Sequence, residues 1–162
     1  MKELSELLER FRRGGELVQG ALEGTLPEEI DYHPEPHAWS VRQIAAHLAD
    51  SEVVAGWRIR RLIADPNPTL EAFDEKRWAT HLGYERRDPQ NNLAAFLRLR
   101  AENYDLLAHL TPQYFENEGT HVERGRLTLN DMVRINTEHV ERHAAQIHRV
   151  RDHYRSSTSN NR

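Results

Sequence analysis

Apolar side chains recur at three- and four-residue steps in four long stretches of the chain, and that period marks amphipathic helices. In the first stretch Leu4, Leu7, Leu8, Phe11, Val18 and Leu22 make one stripe, predicting a helix from about Lys2 to Glu23, weakened in the middle by Gly14-Gly15. Gly24 and Pro27 mark its end, and Pro34 and Pro36 make the stretch up to Trp39 a connection. A second helix opens at Ser40, where Ser40-Val41-Arg42-Gln43 has capping-box spacing, and closes at Asp65 because Pro66 and Pro68 forbid continuation. The third has Asp88 as N-cap and Pro89 at its first position, runs through Leu93, Phe96, Leu97, Tyr104 and Leu107, and ends at Thr111-Pro112. The fourth starts near Thr128, with Asp131 three residues on, and runs to about Tyr154 through Met132, Val133, Val140, Ile147 and Val150.

Residues 66–88 hold no sustained period but carry Phe73, Trp78, His81 and Tyr84, so they form a long connection with large side chains, of the kind that covers pockets. Strand signals are nearly absent: there is no alternating β-branched run and no Asn-Gly or Asp-Gly turn. The expected fold is all-α, a four-helix bundle in one domain spanning residues 1–155, followed by a polar tail at 156–162. The connection at 66–88 is long enough to cross the bundle, so the second and third helices need not be antiparallel neighbours.

Composition narrows the function classes. The chain has 162 residues and 0 Cys, which excludes disulfides, thiolate ligands and a cysteine nucleophile; any thiol chemistry requires a thiol brought in by a substrate. A formal net charge of -4 argues against a nucleic-acid partner held by phosphate neutralisation. The charged N-terminus lacks the apolar core of a signal peptide and no run is long enough to span a membrane, so a cytoplasmic location is expected. The unusual feature is 10 His, since imidazole both ligates metals and titrates near neutrality.

His139 and His143 are four apart on the fourth helix and so project from one face, a turn apart. Turning about 100° per residue puts both on the arc that holds Met132, Asn136, Val140 and Ile147. The same count on the second helix places His47 at the margin of the arc, beside Ile44 and Ser51. Three imidazoles converging across a bundle leave coordination positions open to water or substrate, as a catalytic metal site requires. The competing reading is three hydrogen-bonded core histidines, and an i, i+4 pair arises by chance in a His-rich chain. His148 lies on the opposite side of the helix and should be solvated, whereas His153 points inward but stands roughly 15 Å beyond His143 along the axis. His33, His37 and His109 sit at connections or helix ends, where a surface role is the default.

Further pocket candidates are Ser51, Arg58, Trp78, His121 and Asn136, with Tyr84 on the same connection as Trp78. Asn136 could hydrogen-bond a ligand or serve as a polar core residue; Arg58 could receive a substrate carboxylate or be solvated; for the aromatics packing is the default.

Three segments, WSVRQIAAHLADSE at 39–52, NPTLEAFDEKRWA at 67–79 and THVERGRLTLNDMVRINTEHVERHAAQI at 120–147, resemble the DinB/YfiT-like superfamily, four-helix bundles with a three-histidine metal site. With the helix between them they cover most of residues 37–150. The resemblance implies that His47, His139 and His143 hold the metal. It also points to the branch described as metal-dependent hydrolases or bacillithiol transferases, and to a homodimer. The expected cofactor is one divalent transition metal, zinc or nickel ahead of manganese or iron. The leading expectation is a metal-dependent enzyme, most of all a bacillithiol-like S-transferase, in which the ion lowers the pKa of a thiol that attacks an alkyl or epoxide carbon. In the hydrolase alternative water attacks an acyl or amide carbon. A further alternative is a non-catalytic sensor or dimeric scaffold whose metal only braces the helices.

Overall fold

The structure is a computed structural model and describes residues 2–159. Four long helices dominate: α1 (Lys2–Leu22), α3 (Val41–Ala64), α5 (Pro89–Ala108) and α6 (Leu129–Ser159). Short helices α2 (Pro27–Ile30) and α4 (Glu75–His81) lie in the connections, with single 3₁₀ turns at Tyr84–Arg86 and Pro112–Glu116. The capping chemistry is as the sequence dictates. Ser40 Oγ accepts from the Gln43 amide while Gln43 Oε1 accepts from the Ser40 amide, Asp88 caps Asn91, and Thr128 with Asp131 forms a second reciprocal box.

Packing of the apolar stripes makes a square in which α1 and α3 lie across one diagonal and α5 and α6 across the other. One core cluster joins Val18 and Leu22 of α1, Ile44 and Leu48 of α3, Phe96 of α5 and Ile147 and Val150 of α6. The other joins Leu7 and Phe11, Ile59 and Leu62, Leu107, and Met132 and Val133. Residue numbers therefore rise together along α3 and α5, and together along α1 and α6. The second and third long helices are neighbours, but parallel ones. A parallel pair forces the connection at 66–88 to climb back along the outside of the bundle from the end of α3 to the start of α5.

Gly14 and Gly15 do not break α1. Gly14 faces the fully buried Arg100, whose Nη2 would lie 2.7 Å from an added Cβ. Arg100 pairs with Glu52 at 2.9 Å, donates to Asn136 Oδ1 and lies 3.8 Å over the Phe11 ring. Asn103 Nδ2 donates to the other Glu52 oxygen at 2.8 Å. Burial pushes the Glu52 carboxyl up, against the pull of Arg100.

Two expectations are corrected. A small sheet exists, ordered β1 (Thr69–Leu70), β2 (Glu118–His121), β3 (Gly125–Thr128), with β1 parallel and β3 antiparallel to β2. Its strands are too short to show alternation, and its turn uses Gly125 at φ 75° after a three-residue loop rather than an Asn-Gly pair. Only glycine fits at 119, because a Cβ there would meet the Pro68 carbonyl oxygen at 2.7 Å. The expected polar tail is helical as far as Ser159, and the Ser157, Thr158 and Ser159 hydroxyls donate to the carbonyls of Tyr154 and Arg155. Positions 160–162 of that tail lie outside the described residues.

Replacing Glu52 with Ala strands a buried guanidinium and should lower the unfolding free energy by about 3–5 kcal/mol, read as a reduced urea midpoint with an unchanged slope. An unchanged midpoint would refute the pairing.

Candidate metal centre

Antiparallel packing of α3 against α6 sets His47 opposite His139 and His143. One nitrogen of each ring lies within 4.8 Å of the other two, and His47 Nε2 is 3.0 Å from His139 Nε2. The ring centroids are 4.4 to 5.0 Å apart. Two nitrogens bound to one ion at about 2.0–2.1 Å stand roughly 3 Å apart when the angle between them is a little over 90°, so His47 and His139 have the spacing of two ligands of one ion, and His143 is gathered beside them. In its metal-free form the same separation suits an Nε2–H···Nε2 hydrogen bond, which leaves the pair satisfied.

The surroundings keep the rings neutral and oriented. His47 is fully buried, and burial, then the neighbouring His143, lowers its pKa to about 3. His139 falls to about 2 through burial and the other two rings, and His143 is lowered mainly by burial. Neutral imidazole is the ligating form. Gln146 Oε1 accepts from His143 Nδ1 at 2.8 Å, which leaves the Nε2 lone pair free for the cluster. Trp39 packs on His47 at 4.8 Å and stacks on His143 at 6.4 Å, and Phe73 stacks on His47 at 6.5 Å. Two connections thus lay an aromatic collar over the rings, Trp39 from the segment before α3 and Phe73 from the climbing connection.

Beside the cluster is a cavity of about 160 Å³ between α3, α6, the start of α4 and the β2–β3 turn. It opens onto His139, and Ser51, Arg58, His121 and Asn136 all line it. Ser51 Oγ is nearly equidistant from the two His47 ring nitrogens, at 3.4 and 3.3 Å. Asn136 shares its amide oxygen with Arg100, so it is a structural link as well as a wall residue. His121, whose reach depends on a loop, is carried to the cavity by the pairing of β2 with β1 and β3. Trp78 is not on the wall: it sits on α4 and packs against Phe73 at 4.7 Å, supporting the collar from behind. Tyr84 is buried, edge-on to Trp39 at 6.2 Å.

Among the other histidines, His148, His33, His37 and His109 are exposed, as expected. His153 is exposed too, although the helical count turns it inward: its Nδ1 hydrogen-bonds the Tyr32 hydroxyl at 2.7 Å outside the core. Sequence reasoning missed Trp39, Gln146, Arg124 and Arg142 as site residues. Gln146 was detectable by its i, i+3 spacing from His143; the others depend on tertiary placement.

A partly buried three-imidazole cluster between antiparallel helices of a four-helix bundle defines a class, and the comparisons agree with it. Residues 10–147 match the DinB superfamily, and the chain belongs to that family. A protein of Oceanobacillus iheyensis named "Putative metal-dependent hydrolase OB0782" is 31% identical over 120 residues, 74% of this chain and 69% of the relative. "Putative metal-dependent hydrolase YfiT" of Bacillus subtilis is 28% identical over 131 residues, 80% of this chain and 74% of the relative. The solved YfiT structure, described as having an unusual four-helix bundle topology, superposes with a TM-score of 0.86 at 24% identity, covering 93% of this chain and 86% of that one. A mycothiol-dependent maleylpyruvate isomerase shares the fold at a TM-score of 0.73 and 14% identity, covering 89% of this chain and 60% of that one.

The lowered proton affinities carry a pH dependence. Below the ordinary pKa of 6.5 the unfolded chain takes up protons at His47, while the folded chain does not until about pH 3. Stability of the chelator-treated protein should therefore fall as pH drops through that window. Its urea midpoint should be lower at pH 5 than at pH 7.5, and His47→Gln should flatten the difference; equal midpoints in the parent protein would contradict neutral, buried rings.

Proposed function

We propose that the protein is a metal-dependent enzyme in which His47, His139 and His143 hold one divalent transition metal beside a small-molecule cavity, and that it transfers a low-molecular-weight thiol to an electrophilic carbon. The observation that carries this reading is the approach of three neutral imidazoles within 4.8 Å of one another. The donor set suits zinc or nickel, with manganese and iron as weaker fits. Lowering the proton affinity of a thiol or water at the site is the chemistry that such an ion supplies when bound.

The chain's own residues have distinct parts. Gln146 fixes the tautomer of His143, Trp39 and Phe73 cover His47 and one face of His143, and the cavity beside His139 receives the substrate. With 0 Cys the chain cannot provide the sulfur itself, so in a transfer reaction the thiol arrives as a cosubstrate. The thiol gives up its proton to solvent, its sulfur forms a bond to the electrophilic carbon, and the carbon–leaving-group bond breaks with its pair going to the leaving atom, which departs as an anion or, in an epoxide, stays attached as an alkoxide that takes up a proton. The fold shared with a mycothiol-dependent enzyme supports the thiol version. Hydrolysis is the second reading, favoured by the names of the relatives, and differs in that water replaces the thiol.

Elemental analysis of the purified protein should find one transition-metal ion per chain. His143→Ala should weaken metal binding by more than the roughly 10- to 100-fold expected for Gln146→Leu, which removes only an outer partner, while both variants stay folded. Sub-stoichiometric metal in the parent protein would remove the basis of the reading. With zinc-, nickel- and manganese-loaded protein, turnover of an alkyl halide or epoxide that depends on added thiol supports the transferase. Ester or amide cleavage without thiol moves the assignment to a hydrolase, and a loaded protein inert in both assays leaves a metal-binding scaffold.

A further inference from the structure

The cavity beside the histidine cluster carries several basic groups, and none of its arginines makes a salt bridge among the described residues. Arg58, Arg124 and Arg142 line it together with His121. They come from three separate elements: Arg58 from α3, Arg124 from the β2–β3 turn and Arg142 from α6. Many arginines elsewhere are paired, among them Arg10, Arg42, Arg87, Arg100 and Arg151. None of the three cavity arginines makes an ion pair among the described residues. Glu75 and Glu123 also line the cavity, beyond salt-bridge distance, and offset part of its charge: Glu123 opposes the lowering of the Arg58 and His121 pKa values, and Arg142 and Arg124 oppose the rise that burial gives Glu75.

Two of the donors are held in place. The Glu71 carbonyl oxygen accepts from Arg58 Nε at 3.1 Å and from Arg58 Nη2, which fixes the plane of the guanidinium and leaves Nη1 without a protein partner among the described residues. His121, 4% exposed, accepts the Glu123 amide proton at Nδ1 over 3.2 Å, so its neutral ring carries the proton on Nε2 and offers a donor to the cavity. The charges are close enough to feel one another. After burial, Arg124 is the next cause that lowers the Arg58 pKa, and Arg58 followed by Arg124 lowers that of His121. Three guanidinium groups against two carboxylates leave an excess of positive charge and unused donors at one concave surface, which an anion would satisfy, and guanidinium groups suit the planar geometry of a carboxylate.

We infer that Arg58, Arg124, Arg142 and His121 form an anion subsite that binds a carboxylate of the small organic substrate and holds its reacting end toward His139. The inference rests on the proposed metal-dependent reaction for its catalytic meaning, but the subsite itself requires no ion. An uncharged substrate of the same shape should bind more weakly.

Titration of the full-length protein with succinate and with inorganic phosphate at constant ionic strength tests this, in metal-loaded and chelator-stripped forms. Saturable binding is expected in both forms, weakened at least tenfold by Arg124→Gln and by Arg58→Gln. Arg13→Gln, an exposed change on α1, should leave it unaltered. Arg124 is exposed, so its replacement does not threaten folding, and thermal melts of each variant verify this. No saturable binding in either form, or binding that ignores both substitutions, overturns the subsite. Binding confined to the metal-loaded form and insensitive to the arginines also overturns it, since the ion alone is then the receptor. Anion binding that persists in a protein unable to take up metal sinks the metalloenzyme reading and leaves the subsite standing. N-acetylcysteine compared with succinate identifies the source of the carboxylate. Metal-dependent tightening of the thiol by tenfold or more assigns it to the thiol cosubstrate, and equal affinity assigns it to the electrophile, both with the subsite intact.

Discussion

One buried guanidinium touches all four long helices. Arg100 on α5 pairs with Glu52 on α3, donates to Asn136 on α6, and lies against Phe11 and Gly14 on α1. A buried ion pair gains little net stability over an apolar replacement, but a half-made one is costly, so the arrangement strongly disfavours any sliding of one helix past another. Glu52 follows His47 by five residues and Asn136 precedes His139 by three, which makes the axial register of α3 against α6 depend on this contact. The imidazoles meet because the carboxylate and the guanidinium meet.

The parallel pairing of α3 and α5 has the second large consequence. Antiparallel neighbours are joined by short loops, whereas parallel ones need a chain that returns the length of the bundle. Here that return passes over the face between α3 and α6, where it places Phe73 on His47 and puts Trp78 behind Phe73. The β-hairpin after α5 does the same for His121 and Arg124, bringing them to the cavity from the other core end. Topology thus converts two connections into the cover and one wall of the site. The dry collar keeps the rings unprotonated, and the basic wall beside it gives the cavity two chemically different ends.

Much of the scaffold was legible from local physics. The caps at Ser40, Asp88 and Thr128 and the stop before Pro66 are backbone rules that act within a few residues, whereas α5 ends at Ala108, short of the expected Thr111-Pro112. The i, i+4 spacing of His139 and His143 is equally local. The sheet was not legible, because strands of two to four residues have no period to detect and the pairing of β1 with β2 joins residues about fifty positions apart. The extension of α6 to Ser159 escaped for a different reason: hydroxyls that compete with a helix in most settings here bond back along it. His153 faces outward because Tyr32 offers its ring a partner at the surface, a contact that periodicity cannot contain.

The amino-acid sequence by itself determined four long helices, their capped starts, and that His139 and His143 share one face of α6, since each of these follows from interactions inside a single turn or cap. It also determined that any sulfur nucleophile must come from outside. Tertiary structure alone decided that α3 and α5 run parallel, that His47 reaches across to α6, and that Arg58, Arg124 and Arg142 gather on one wall. Those outcomes depend on contacts between segments far apart in the chain, where burial of a charge or the path of a connection selects one arrangement among many that the same local pattern allows.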